Sequence, residues 1–191
     1  LNRLLDEVTS LVEWPVPYIA TYAEDFLTLP KEVLISAIEQ HQKCFPIENK
    51  QGELKPCFIT IANIESKNPE QMVIGNERVM RARLSDAGFF FYTDKKQPLE
   101  DYLEILKKVT FQTKLGSLFE KTHRIVEISR WIIKKQQKDE LDSDTKRAAL
   151  LAKADLVTNM VHEFPELQGI MGYYYALHNK ENHAVATAIR E

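Results

Sequence analysis

The residues best equipped to do chemistry are Arg78, Arg81 and Arg83, set close together in the run ERVMRAR. A guanidinium is permanently charged and presents a planar fork of donors, so the natural target of such a cluster is phosphate or carboxylate. Read as a helix at about 100° per residue, residues 75–92 (GNERVMRARLSDAGFFFY) put Arg78, Arg81 and Ser85 on one face, with Val79, Met80, Leu84 and Ala87 on an apolar side. A plainer account uses the same residues. Glu77 stands four before Arg81 and Arg83 three before Asp86, spacings at which ion pairs add a few tenths of a kcal/mol to a solvated helix. Periodicity does not choose between them. Gly88 is expected to interrupt the helix, leaving Phe89, Phe90, Phe91 and Tyr92 with the composition of a strand or a buried helix end.

Other reactive side chains are scattered. His41 precedes Cys44 by three residues, but Phe45 and Pro46 follow at once, which fits a packed thiol better than a nucleophile. Lys43 falls at a predicted helix C-terminus, where a cation is favoured by the helix dipole, or where it could reach a ligand or RNA. His123, His162, His178 and His183, with Asp155, Glu163 and Glu166, raise a metal reading. Phosphohydrolases of the HD type bind metal through a His, an adjacent His-Asp pair and a further Asp. Here His123 could be the first ligand, but the pair reads Ala154-Asp155, and a carboxylate alone replaces an imidazole poorly. Asp155 then reads as a polar group inside a helix bundle. GxGxxG, P-loop, GxSxG and CxxC signatures are all missing.

The elements that must position these groups change character along the chain. An amphipathic start (Leu1, Leu4, Leu5, Val8) ends at Trp14-Pro15-Val16-Pro17, where proline forbids helix. Residues 18–23 read as an edge strand and Pro30 opens a helix through Val33, Leu34, Ala37 and Ile38. Residues 45–48 and 56–64 form a hairpin about Asn49-Lys50-Gln51-Gly52, its second strand apolar enough to be central. Asn68-Pro69 starts the arginine helix. After the polar, proline-ended break at residues 94–98 the pattern is helical, with residues 109–112 ambiguous. Helices are expected over 99–108, over 118–137 with Phe119, Ile125, Val126, Ile128, Ile132 and Ile133 as an apolar stripe, and from an Asp142-Ser143-Asp144 cap through Ala148, Leu151, Ala152, Asp155, Leu156 and Met160. Glu163 to Gly172 reads as a helix-to-helix corner, with Gly169 and Gly172 allowing close approach. The fold class is α+β, divided as residues 1–98 and 99–191.

The 191 residues are 44% hydrophobic, enough for a real core. A net charge of -3 confines any nucleic-acid contact to a local patch. Cys44 and Cys57 read as reduced thiols of a cytoplasmic protein, and no apolar run suggests a membrane span. The chain opens without methionine and stops inside the helical run AVATAIRE, so an interior piece of a longer polypeptide is expected.

The stretches LVEWPVP, LPKEVLISAIEQHQKCFPI, ANIESKNPEQMVIGNERVMRARLSDAGFFF, FQTKLGSLFEKTHRI and KADLVTNMVHEFPELQGIMGYYY resemble, in the same order, the beta subunit of bacterial two-subunit glycyl-tRNA synthetase. The likeness covers nearly the whole chain, and HQKCFP, NIESK and FPELQG are long enough to be specific. It implies a mixed α/β part like the B3/B4 region of phenylalanyl-tRNA synthetase, followed by the opening of an HD-like helical domain whose metal chemistry has lapsed at Ala154-Asp155. It implies partnership with the alpha subunit and tRNA(Gly) in an alpha2beta2 hetero-oligomer, with ATP and magnesium used at the alpha subunit. No catalytic residue, metal or cofactor is expected on this piece. Arg78, Arg81, Arg83, Lys43, Lys107, Lys108, Lys114 and Arg124 are the cations whose placement suits tRNA contact. The competing expectations are a metal-dependent phosphohydrolase built on His123 and Asp155, and a purely structural interface for the alpha subunit.

Overall fold

A strand that is apolar at nearly every position has to be covered on both sides, and residues 57–62 (CFITIA) are such a strand. In a computed structural model, which describes residues 2–191 and Asn2 by its backbone only, they belong to β3 (Leu54–Ala62). The order of the antiparallel sheet is β1-β3-β2, with β1 Val16–Thr21 and β2 Phe45–Glu48, so β3 is central as expected. Ile59 faces Ile19 on one side and Phe45 on the other, and Phe58 is wholly buried. Gly52, in the β2–β3 turn, takes φ +79°, the left-handed conformation for which glycine was expected there. On the open side of β1, Pro17 has no N–H to give and the Thr21 N–H is donated to Glu77, which blunts that edge against a further strand.

By its packing the chain divides into two compact units, Leu1–Phe89 and Phe90–Glu191. The first also holds α1 (Asn2–Leu11), a 3-10 turn at Glu24–Thr28, and α2 (Lys31–Ile35), which widens into a π-helical turn at Ser36–His41. Leu4 and Val8 are buried, as their spacing predicts, whereas Leu5 is exposed; Leu1 lies outside the described residues. Val33, Leu34, Ala37 and Ile38 are buried almost completely. The cysteines are free thiols.

One long helix, α3 (Pro69–Asp94), runs without a break through Gly88. The interruption expected there does not occur, and Phe89 to Tyr92 are helical rather than a strand. A glycine inside a helix costs only about 1 kcal/mol, and Gly88 is buried, with Leu29 at ordinary packing distance from where a Cβ would stand.

The second unit is built of helices and one small hairpin. A 3-10 turn (Leu99–Tyr102) leads into α4 (Leu103–Leu106), and the ambiguous residues form β4 (Thr110–Gln112), paired with β5 (Gly116–Ser117). Then come α5 (Leu118–Lys135), α6 (Asp142–Leu151), α7 (Asn159–Glu163), α8 (Ile170–His178) and α9 (His183–Arg190). Ser117 and Glu120 make a reciprocal capping box at the start of α5.

Three expectations fail here. The helix predicted through Met160 stops at Leu151, because Asp155 turns inward and Thr158 caps a new helix by accepting the Val161 N–H at 3.3 Å. Asp142 is not a cap; its carboxylate holds Arg130 at 2.9 Å. The stripe on α5 is not core: Val126 is buried, but Ile128 is 58% and Ile132 42% exposed.

Candidate nucleic-acid interface

The arginine helix is fixed from its start. Pro69 supplies the helical φ at the first position, and the Asn68 N–H is accepted by the Ser66 hydroxyl at 3.1 Å. Met80, Leu84, Ala87 and Phe91 follow at spacings of four, three and four and are all buried, which sets the rotation of α3 about its axis. Arg78, Arg81 and Ser85 then point to solvent with Ile74 and Phe89, while Val79, expected on the apolar side, is half exposed.

Glu77, the carboxylate placed to neutralise Arg81, is used elsewhere. It accepts both the backbone N–H and the hydroxyl of Thr21, at 2.8 and 2.7 Å. Among the described residues neither Arg78 nor Arg81 has an ion-pair partner. Two uncompensated guanidinium groups therefore lie about one helical turn apart on a rigid element, with the exposed ring of Phe89 about two turns further along, an arrangement suited to a phosphate chain. Phe89 was missed as part of this face; the only signal was its distance of four residues from Ser85 and eight from Arg81.

The other cations differ from these. Arg83 is half-buried and engaged. Lys43 is half-buried, bonds Glu7 at 2.8 Å, and has φ +53°, the left-handed residue that ends its helix where the Cys44 N–H returns to the Ile38 carbonyl. In the second unit Lys107 bonds Glu104 at 2.7 Å and sits 4.7 Å from the centre of the Phe119 ring. Lys108, Lys114 and Arg124 are exposed.

His123 and Asp155 are not assembled into a metal site. His123 is exposed, with its ring edge-on to Phe119 at 4.5 Å, whereas Asp155 is completely buried. One Asp155 oxygen accepts the N–H groups of Gly169 and Gly172, at 2.6 and 3.0 Å, and so anchors the start of α8. Burial still pushes its carboxyl above the usual carboxylate range, against the pull of those two hydrogen bonds, and the other oxygen has no partner in the structure. Among the described residues no group of His, Cys, Asp and Glu could hold a metal ion, and no helix is long and apolar enough to cross a membrane.

A buried carboxylate that sequence reading placed in a polar loop does more. Asp94 ends α3 and accepts from the Asn159 N–H and side-chain amide, the Met160 N–H, and the hydroxyls of Tyr175 and Tyr102. Burial, then the neighbouring Asp94, pushes the Tyr175 hydroxyl far above the usual tyrosine range; burial also lifts Tyr102 to about 12. These hydrogen bonds tie the end of α3 to the start of α7 and to α8.

Comparison with known proteins bears on the whole chain. The family model described as glycyl-tRNA synthetase beta subunit matches residues 1–191. The glycine–tRNA ligase beta subunit of Buchnera aphidicola subsp. Acyrthosiphon pisum (strain Tuc7) is 55% identical over 190 residues, which are 100% of this chain and 27% of the relative. That of Coxiella burnetii (strain RSA 493 / Nine Mile phase I) is 52% identical over 188 residues, 98% of this chain and 27% of the relative. That of Colwellia psychrerythraea (strain 34H / ATCC BAA-681) is 51% identical over 190 residues, with the same 27% of the relative covered. The chain thus spans about a quarter of the length of the curated relatives it matches. A match to the family model from end to end, with half the residues identical in these relatives, places the chain in the glycyl-tRNA synthetase beta subunit family.

Proposed function

We propose that this chain serves a glycine–tRNA ligase as a tRNA-contacting and scaffolding part of its beta subunit, and that the exposed face of α3 meets the tRNA backbone. The observation that carries this is the pair Arg78 and Arg81, left without a carboxylate because Glu77 is bound to Thr21. Lys108 and Lys114 extend the contact set, while Lys43 and Lys107, already paired, and Arg83, already engaged, contribute less. On this reading glycine activation, with ATP and magnesium, belongs to the alpha subunit, the assembly is an alpha2beta2 hetero-oligomer of the cytoplasm, and no bond-making group lies in these residues. The reading also divides the chain near residue 98 into a B3/B4-like part and an HD-like part.

The test is tRNA affinity of the assembled enzyme with Arg78 and Arg81 both changed to Ala, measured over a salt series. Removing one cation from a phosphate lowers the slope of log affinity against log salt by about 0.7 to 0.9, so a fall of about 1.5 is expected for the pair. An unchanged affinity and slope would remove both arginines from the interface.

A further inference from the structure

The face of α5 that failed as core has a second use. Within about 60° on either side of Ile128 around the helix lie Lys121, Arg124, Ile125, Trp131, Ile132 and Lys135, while Glu120 and Glu127 fall outside that arc. Ile128 is 58%, Trp131 61% and Ile132 42% exposed. The other side of the helix is occupied, by buried Val126 and by the Arg130–Asp142 ion pair to α6. Single exposed apolar residues are ordinary, but a row at i, i+3 and i+4 is the pattern of a helix that packs against another.

The cations of the row lie against the aromatics. Lys135 Nζ is 5.7 Å from the Trp131 ring centre, and Lys121 Nζ is 3.9 Å from that of Phe111. We propose that this face docks an amphipathic α-helix whose apolar stripe is bordered by Asp or Glu, supplied by further length of the subunit's own polypeptide. Charge complementarity selects the acidic border, since the arc holds three cations and no carboxylate. Relatives supply the length, because nearly three-quarters of each lies outside the matched region. RNA fits less well: phosphates would meet Lys121, Arg124 and Lys135, but Ile128 and Ile132 have neither a ring to stack on a base nor a group to bond one. The proposed docking rests on family membership and is independent of the arginine face of α3.

A photo-crosslinking benzoylphenylalanine at position 128 of the full-length beta subunit, without alpha subunit or tRNA, tests it, with a second placement at position 132. The expected result is an intramolecular crosslink from both positions to one segment with apolar residues at helical spacing and acidic neighbours. Crosslinks to a second copy, to alpha subunit or tRNA only once these are added, or to solvent alone overturn it. Hydroxyl-radical footprinting of Trp131 in the unsubstituted subunit guards against a misfolded variant. Docking slows its oxidation about fivefold or more relative to the urea-unfolded subunit, whereas a ring left 61% exposed is slowed less than about twofold; the smaller protection overturns the proposal.

Discussion

Asp94→Ala is the sharpest perturbation of the second unit. The carboxylate is 1% exposed and accepts the Met160 N–H at 2.8 Å, the Asn159 N–H at 3.0 Å and its amide at 2.7 Å, and the Tyr175 hydroxyl at 3.1 Å. Alanine removes every acceptor at once. Two backbone donors at the start of α7 lose their cap, at about 1 kcal/mol or slightly more, and a buried tyrosine hydroxyl is stranded at about 1–3 kcal/mol. Relief from burying a charge offsets part of this, so a net loss of about 3 kcal/mol is expected, a large share of the 5–15 kcal/mol typical of a whole domain. In a chain of this size the loss corresponds to a Tm lower by about 6–12 °C. Asp94→Asn keeps one acceptor and should lose about 1–2 kcal/mol. Urea titration followed by far-UV circular dichroism reads both. Tyr175→Phe should then matter less in the Asp94→Ala background than in the parent, since the two share one hydrogen bond. A loss below about 1 kcal/mol for Asp94→Ala, or strict additivity with Tyr175→Phe, would refute the account of Asp94 as a hub.

Three further outcomes follow from the same geometry. Because burial raises the Asp155 carboxyl, the folded chain holds that proton more tightly than the unfolded chain, so stability falls as pH rises from the ordinary carboxylate range through the folded value. Asp155→Asn should flatten that slope in thermal unfolding as pH rises above about 4, and an unaltered slope would assign it to another group. Lys43→Gly should relieve the left-handed strain at φ +53° by about 1 kcal/mol, against a smaller loss of the half-exposed pair with Glu7, and a clear destabilisation would show that the pair dominates. Gly172→Ala should cost about 1–3 kcal/mol, because its Cβ would stand 2.6 Å from Ile189 Cγ2 and 3.2 Å from the Asp155 carboxylate; an unchanged urea midpoint would mean that α9 shifts freely.

Local chemistry was enough to dictate the sheet, the starts of α2 and α3, and the family. Proline at positions 15, 17, 30 and 69 and glycine at 52 act through their own backbone geometry, and an unbroken apolar run such as residues 57–62 admits only a central strand. Such signals survive without knowledge of what lies nearby. Two other matters were settled only by long-range packing. Glu77 leaves Arg81 uncompensated because Thr21, 56 residues away, takes its carboxylate; and Asp94, which reads as loop, is buried beneath donors from residues 102, 159, 160 and 175. In each case the deciding partner is distant in the chain, and a side chain's charge or polarity does not say which distant group will satisfy it.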